Sequence, residues 1–352
     1  MSVVPRTVNA YAAFEPSDKI VPFQYESRPL GEDDVEVKIS HCGICGSDIH
    51  HLDSGWKPTM YPCVFGHEIV GEVTIVGANV KHLVVGDRVG VGAQVWACLN
   101  RDPKRPCEEC ADGENAFCNR SVITYDAKYE DGSMAYGGYA DYVRVDSNFA
   151  FKIPDNIPSA SAAPLLCAGV TVFTPLKRYV KPGDHVGVIG IGGLGHLAIQ
   201  FIRALGATPV AFSRSANKEK EIRALGAEEF YNLSDPEDQK KAENSVNVLL
   251  LTADATNMPY NTYLTLVKKR GTFIMVGVPN DEVKFKPMFV VAKGIKWVGS
   301  LIGSIQDIKD MLALASEKNV RAIVQQMSMS KVNESIAMMR EGRVRYRVVL
   351  EN

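Results

Sequence analysis

The chain has 352 residues, enough for two domains at roughly 100 to 200 residues each. With 46% hydrophobic and 23% charged residues it falls in the globular range, which excludes long disorder, collagen-like repeats and fibrous folds. A net charge of -2 offers no basic field to nucleic acid or an anionic membrane, no apolar run reaches the roughly 18 residues of a membrane helix, and Met1 to Arg6 lacks a secretory core; a cytoplasmic protein acting on a small molecule, with no nucleic acid and no membrane as partner, is expected.

In chain order, Val35 to Ile39 alternates with the period of a half-buried strand, and Asp87 to Val91 repeats the pattern between Gly, Pro and Asp turn signals. Helical periodicity is scarce before about residue 160. Within this β-rich part Cys42-Gly43-Ile44-Cys45-Gly46-Ser47-Asp48-Ile49-His50 precedes Gly66-His67-Glu68. Cys42-x-x-Cys45 alone also fits a redox pair, but that reading expects a strand-to-helix start near a βαβ unit. Next come Cys98, Cys107, Cys110 and Cys118, spaced C-x8-C-x2-C-x7-C in a polar stretch. Four thiolates around one tetrahedral zinc need such a loop, because no regular element turns four side chains onto one ion. In a reducing compartment, clustered cysteines point to metal rather than disulfides.

From about Ala160 the texture changes. A buried-strand pattern, His185 to Ile189, runs into a helical one, Leu194 to Leu205, and then a second strand, Thr208 to Phe212, which is a βαβ unit. Gly190-Ile191-Gly192-Gly193-Leu194-Gly195 stands where that strand opens into the helix, the context a dinucleotide fingerprint requires. Gly190 permits the tight turn, Gly192 lets backbone approach a pyrophosphate, and Gly195 allows close helix packing. The second strand ends in Phe212-Ser213-Arg214-Ser215-Ala216-Asn217-Lys218, without the carboxylate that binds the ribose of NAD. Ser213, Arg214, Ser215 and Lys218 instead offer positive charge and hydroxyl donors to a 2'-phosphate, so NADP is expected. Val246 to Leu251 and Thr272 to Val276 continue the α/β alternation; Val320 to Val324 and Arg347 to Leu350 are further strand candidates that return to the first domain.

Together these motifs, with Ala163-Pro164-Leu165-Leu166-Cys167-Ala168-Gly169-Val170-Thr171 and Val344-Arg345-Tyr346-Arg347, resemble the zinc-dependent medium-chain dehydrogenase/reductase family over nearly the whole chain. The likeness is to its cinnamyl alcohol dehydrogenase-like branch, particularly fungal NADP-dependent alcohol dehydrogenases. The resemblance implies an α/β architecture: a GroES-like β-rich catalytic domain in 1–160, a Rossmann doubly wound parallel-sheet domain in 161–300, and a return to the catalytic domain in 301–352. It implies two zinc ions. Cys45, His67 and Cys167 would ligate the catalytic one, with Glu68 able to enter the shell, and Cys98, Cys107, Cys110 and Cys118 the structural one. Asp48 would orient His67, Cys42 would stand beside the site as a non-ligand, and Cys63 would be a core thiol.

By the same resemblance, zinc would act as Lewis acid toward an aldehyde or alcohol while NADP(H) carries the hydride, and Ser47 and His50 would relay the proton. His51, the alternative to His50, is expected to be exposed. Thr171, Thr252, Val276, Gly277 and Ser300 match positions that touch the cofactor. Trp56, Pro58, Ile123, Leu301 and Ile302 match the substrate pocket, which suits cinnamyl, benzyl or medium-chain aldehydes; Ile123 replaces the tryptophan of the plant enzymes, which favours broad specificity. A homodimer is also implied. One departure stands out: the branch has two residues between its first two structural cysteines, whereas Cys98 and Cys107 enclose eight. A zinc-independent reductase or a non-catalytic cofactor-binding protein of this fold would lack the ligand triad or the relay, and this chain has both.

Overall fold

The computed structural model describes residues 4–17, 19–280 and 282–352. The chain divides into two compact units: Met1–Cys167, Gly303–Ser316 and Arg321–Asn352 form one, and Ala168–Ile302 with Glu317–Val320 the other. The first division therefore falls at Cys167/Ala168 rather than at 160. The reason is local: Leu166 packs so tightly on the backbone of Gly90 and Gly92 that a Cβ on either glycine would meet it at 3.0 Å or closer, which ties 159–166 to the first unit.

The first unit is built on a seven-stranded sheet in which Ala150–Lys152, Arg88–Val91, Glu68–Val76, Asp34–Ile44, Arg347–Glu351 and Val324–Ser328 lie in that order. Tyr142–Asp146 adds a further antiparallel pairing to the first half of Asp34–Ile44, and Arg347–Glu351 pairs with its second half, Val348 opposite Ile44. Because both edges of Asp34–Ile44 are paired and both faces covered, it is nearly continuously buried instead of alternating. Val35, Val37, Ile39 and Ile44 sit in a core completed by Val64, Phe65, Ile69, Tyr139 and Val348.

One strand expectation fails. Of Val320 to Val324 only Val324 belongs to a strand, Val324–Ser328, which runs parallel to Arg347–Glu351 with Val324 opposite Arg347. An edge strand needs no apolar alternation, so Gln325 and Gln326 carried no signal, while Val320 and Ala322 are buried without belonging to a strand.

The second unit holds six parallel strands ordered Glu229–Asn232, Thr208–Ser213, His185–Ile189, Val246–Leu251, Val267–Met275 and Lys296–Gly299. The strand expected over Thr272 to Val276 starts earlier and ends at Met275. The helix Gly195–Ala204 buries Leu197, Ile199, Phe201 and Ile202, each worth about 1.5–3 kcal/mol, and Leu194 is its N-cap. No single helix among the described residues is long and apolar enough to cross a membrane.

Candidate active site

The first unit brings four potential ligands together. Ligand atoms of Cys45, His67, Glu68 and Cys167 all lie within 4.8 Å of one another, and all four residues are buried. Cys45 is the N-cap of the helix Gly46–Leu52, where its backbone N–H donates to Asp48 Oδ2 at 2.8 Å. His67 and Glu68 stand where the chain enters the strand Glu68–Val76, and Cys167 follows the short turn Ala163–Leu166.

His67 Nδ1 lies 3.0 Å from Asp48 Oδ1, and Nε2 lies 3.1 Å from Cys167 Sγ. The carboxylate thus accepts the Nδ1–H hydrogen bond and turns the Nε2 lone pair toward the thiols, the arrangement that metal-binding imidazoles need. Asp48 is itself held by Gly66 N–H at 3.2 Å and Tyr139 hydroxyl at 3.2 Å. Cys45 Sγ and Cys167 Sγ are 3.9 Å apart, close to the roughly 3.8 Å edge of a tetrahedron with metal–sulfur bonds of about 2.3 Å. The hydrogen bond from Cys167 holds the Cys45 thiol well below its ordinary range against burial, and His67 adds to the effect. Burial would depress His67, but the Asp48 charge and hydrogen bond outweigh it and raise its pKa.

Glu68 is fully buried and forms an ion pair with Arg347, yet its Oε2 has no hydrogen-bond partner. Burial pushes its carboxyl up to about 7. A buried carboxylate oxygen left over beside two thiols and an imidazole fits a metal-binding set better than a packing role.

Cys42 and Cys45 do sit at a strand-to-helix junction, contrary to the expectation, since Asp34–Ile44 leads into Gly46–Leu52. They nevertheless diverge: Cys42 packs toward Gly66 and Gly138, with its thiol pushed up by burial, while Cys45 faces Cys167. Cys63 is likewise buried with a raised pKa.

Ser47 Oγ lies 3.7 Å from Cys45 Sγ, and His50 is three positions along the same helix. Trp56 stacks on His50 with ring centres 4.4 Å apart and an interplanar angle of 13°. His51 is not exposed. It is buried, with Nδ1 3.1 Å from Asp126 Oδ2 and its ring edge-on to Tyr125. The loop after the helix is tied back to it, Thr59 Oγ1 donating to His51 O at 2.7 Å and the Tyr61 hydroxyl to Leu52 O at 2.9 Å. Pro58 is exposed on that loop, and Ile123 pairs with Gln94 in a two-stranded ribbon. Trp96, in the same ribbon, is half-buried.

Cys98, Cys107, Cys110 and Cys118 form the second cluster, again with sulfurs within 4.8 Å of one another. Cys98 Sγ is 3.5 Å from Cys110 Sγ, and Cys107 Sγ is 3.9 Å from Cys118 Sγ. The eight-residue excursion is closed by Asn100, whose side chain donates to Cys107 O at 3.0 Å and accepts Cys107 N–H at 2.7 Å. Asn100 has a φ of 54°, left-handed backbone that asparagine tolerates well. Residues 101–106 are exposed, so Cys98 reaches the cluster in spite of the changed spacing.

In the second unit the glycine fingerprint follows His185–Ile189. Gly190 has a φ of 92°; a Cβ on Gly195 would meet Gly190 O at 2.3 Å, while a Cβ on Gly192 would meet nothing within 4 Å, leaving a cradle over the turn. Gly193 and Leu194 complete that turn. Thr252 Oγ1 donates to Ile189 O at 2.9 Å and Gly190 O at 2.7 Å, so it braces the turn. Thr252, Val276, Gly277 and Ser300 all stand just past the carboxyl ends of adjacent parallel strands, the edge where open α/β sheets bind ligands. Thr171 lies on the helix Ala168–Tyr179, and Leu301 and Ile302 follow Ser300. Ser213 ends its strand; Arg214 and Ser215 are exposed, Ser215 Oγ accepting Asn217 N–H at 3.1 Å, and Lys218 caps the helix Glu219–Ala224.

Sequence reasoning missed Arg347 as the partner of Glu68 and Tyr139 as the support of Asp48. Arg347 lay in a noted motif, but nothing local names a partner 279 positions away.

Residues 31–155 match the family model of the alcohol dehydrogenase GroES-like domain, and residues 193–317 that of zinc-binding dehydrogenase. A probable mannitol dehydrogenase of Mesembryanthemum crystallinum is 39% identical, over 99% of this chain and 96% of that one. Among solved structures, the cinnamyl alcohol dehydrogenase of Sorghum bicolor has a TM-score of 0.93 at 35% identity, covering 98% of both chains. The CAD of Helicobacter pylori, complexed with NADP(H), has a TM-score of 0.90 at 31% identity over 100% of this chain and 99% of that one. With these likenesses beside the two cysteine-bearing clusters and the glycine turn, the chain belongs to the zinc-dependent medium-chain dehydrogenase/reductase family, in its cinnamyl alcohol dehydrogenase-like branch.

Proposed function

We propose that the protein is an NADP(H)-dependent alcohol dehydrogenase that reduces aromatic, cinnamyl- or benzyl-type, and medium-chain aldehydes. The observation that carries the reading is the buried set of two thiols and one imidazole whose tautomer Asp48 fixes. Neither a metal-free reductase nor a non-catalytic relative of this fold has a use for burying those groups within contact of one another. Cys45, His67 and Cys167 would hold the catalytic zinc, and Glu68 is near enough to join them. When bound, zinc supplies a Lewis acid for the carbonyl and NADPH supplies the hydride.

The chain's own residues do the rest. Asp48 keeps His67 in the ligating tautomer and the ion pair with Arg347 neutralises Glu68, so the charge under the site stays balanced. Ser47 delivers a proton to the developing alkoxide, and His50 on the same helix face refills it. The Gly190 to Gly195 turn, braced by Thr252, would cradle the pyrophosphate, and Thr171, Val276, Gly277 and Ser300 would hold the nicotinamide half. Ser213, Arg214, Ser215 and Lys218 would hold the 2'-phosphate. In the first unit, Trp56, Pro58 and Ile123 would line the substrate's path.

Cys98, Cys107, Cys110 and Cys118 would hold a structural zinc, for which the 3.5 and 3.9 Å sulfur separations suit a closed four-thiolate shell. Metal analysis should return two zinc ions per chain, and Cys107→Ser should return one with a lowered melting temperature; a single zinc in the unmodified protein would remove the second site. Eight unbonded thiols suit the cytosol. A homodimer is supported by the outer edge of Lys296–Gly299, which pairs with no strand among the described residues, and by exposed Met288 and Val291 nearby in sequence; light scattering should give the mass of two chains.

The deciding experiment follows cinnamaldehyde-dependent oxidation of NADPH beside NADH, before and after zinc chelation. NADPH preference with loss of turnover on chelation is expected, whereas turnover that survives verified zinc removal would discard the mechanism.

A further inference from the structure

We propose that His51 and Asp126 are a positioning pair that fixes Trp56 against His50 and thereby sets the preference for flat aromatic over flexible aliphatic aldehydes. The proposal rests on the aldehyde-reductase reading above and adds two residues to which that reading gives no part.

Trp56 is 38% exposed, so core packing alone does not hold its indole in place. Two imidazoles contact it. One face lies on His50, and His51 meets it edge-on at 5.6 Å and 84°. His51 is in turn fixed from behind by Asp126, which is 2% exposed and has a φ of 53°, backbone that costs a non-glycine residue. The two carboxylate oxygens of Asp126 divide their work. Oδ2 faces His51 Nδ1 at 3.1 Å and Lys57 Nζ at 3.3 Å, and Oδ1 accepts Met60 N–H at 2.8 Å. One buried carboxylate therefore grips the helix end before Trp56 and the loop after it.

A buried imidazole–carboxylate pair is a poor device for stability alone, because well-packed apolar residues in its place are commonly neutral or stabilising. Its yield is a defined geometry. A flat indole held at a fixed angle offers a stacking wall to an aromatic aldehyde, a contact worth about fivefold in affinity, and offers little to a flexible alkyl chain.

The test compares full-length wild type, His51→Gln, Trp56→Leu and the double variant in NADPH-dependent reduction of cinnamaldehyde and hexanal. His51→Gln should lower the cinnamaldehyde-to-hexanal ratio of kcat/KM by about fivefold, mainly through KM for cinnamaldehyde, with zinc content retained. Trp56→Leu should give a similar shift, and the double variant little beyond either single change, since both act through one indole. A ratio in His51→Gln within about twofold of wild type, or a double variant whose shift is the product of the singles, would overturn the proposal. If His51→Gln does not fold, Asp126→Asn carries the same comparison. Failure of the parent reading shows up separately, as a wild-type protein that turns over neither aldehyde with NADPH, and it takes this proposal with it.

Discussion

Cys167→Ser is expected to reduce aldehyde turnover by at least about 10³-fold while NADPH binding, followed by its fluorescence, stays near the wild-type value. The magnitude follows from what is lost. Removing one preorganised donor to a developing oxyanion commonly costs about 10²–10³ in rate, and losing the metal removes the electrophile itself. Serine is close in size to cysteine, so the buried turn after Leu166 should keep its packing, but a hydroxyl at neutral pH is a far weaker zinc ligand than a thiolate. His67 Nε2, now 3.1 Å from the Cys167 sulfur, would keep one sulfur neighbour fewer. Zinc per chain should fall from two to one. A variant that keeps both zinc and activity would take Cys167 out of the ligand set.

Arg214→Asp is expected to lower kcat/KM for NADPH by about 10²-fold and to raise that for NADH, reversing the preference. Loss of one partner of a charge-assisted contact costs about 2–5 kcal/mol when the pair is buried. Arg214 is exposed, so solvent screening places the effect at the lower end of that range. The substituted carboxylate adds repulsion toward a 2'-phosphate and supplies the hydrogen-bond acceptor that a ribose 2'-hydroxyl lacks here. Steady-state kinetics with both cofactors at saturating aldehyde decides the matter, and an unchanged preference for NADPH would mean that the neighbouring Ser213, Ser215 and Lys218 read the phosphate without it.

What could be read from the amino-acid order was chemistry carried by contiguous residues. Gly190 to Gly195 encodes its own turn, and the four clustered cysteines come together, because in both cases neighbours in the chain are neighbours in space. Pairings made across the chain left no such trace. His51 looked like a surface residue because its partner, Asp126, is 75 positions away, and the burial of Glu68 against Arg347 depends on a register between distant strands. Val324–Ser328 was misplaced for a related reason: an edge strand of Gln, Met and Ser has no periodic apolar signal, whereas buried Val320 and Ala322 just before it imitate one. Cys42 and Cys45 show the converse, a strand-to-helix junction that suits a redox pair but whose two thiols are drawn to different neighbours.

The interior place of Arg347–Glu351 in the first sheet bears on how the molecule is made. A chain growing from its amino terminus holds nearly all of the second unit, residues 168–302, while the strand that must lie beside Asp34–Ile44 is still unsynthesised. Until then the sheet has an open side where Val348 and Leu350 will pack, and Glu68 lacks its counter-charge. The order of completion on the ribosome thus inverts the order of the sequence: the nucleotide-binding layer can close first, while the sheet of the first unit waits for Arg347–Glu351 to emerge.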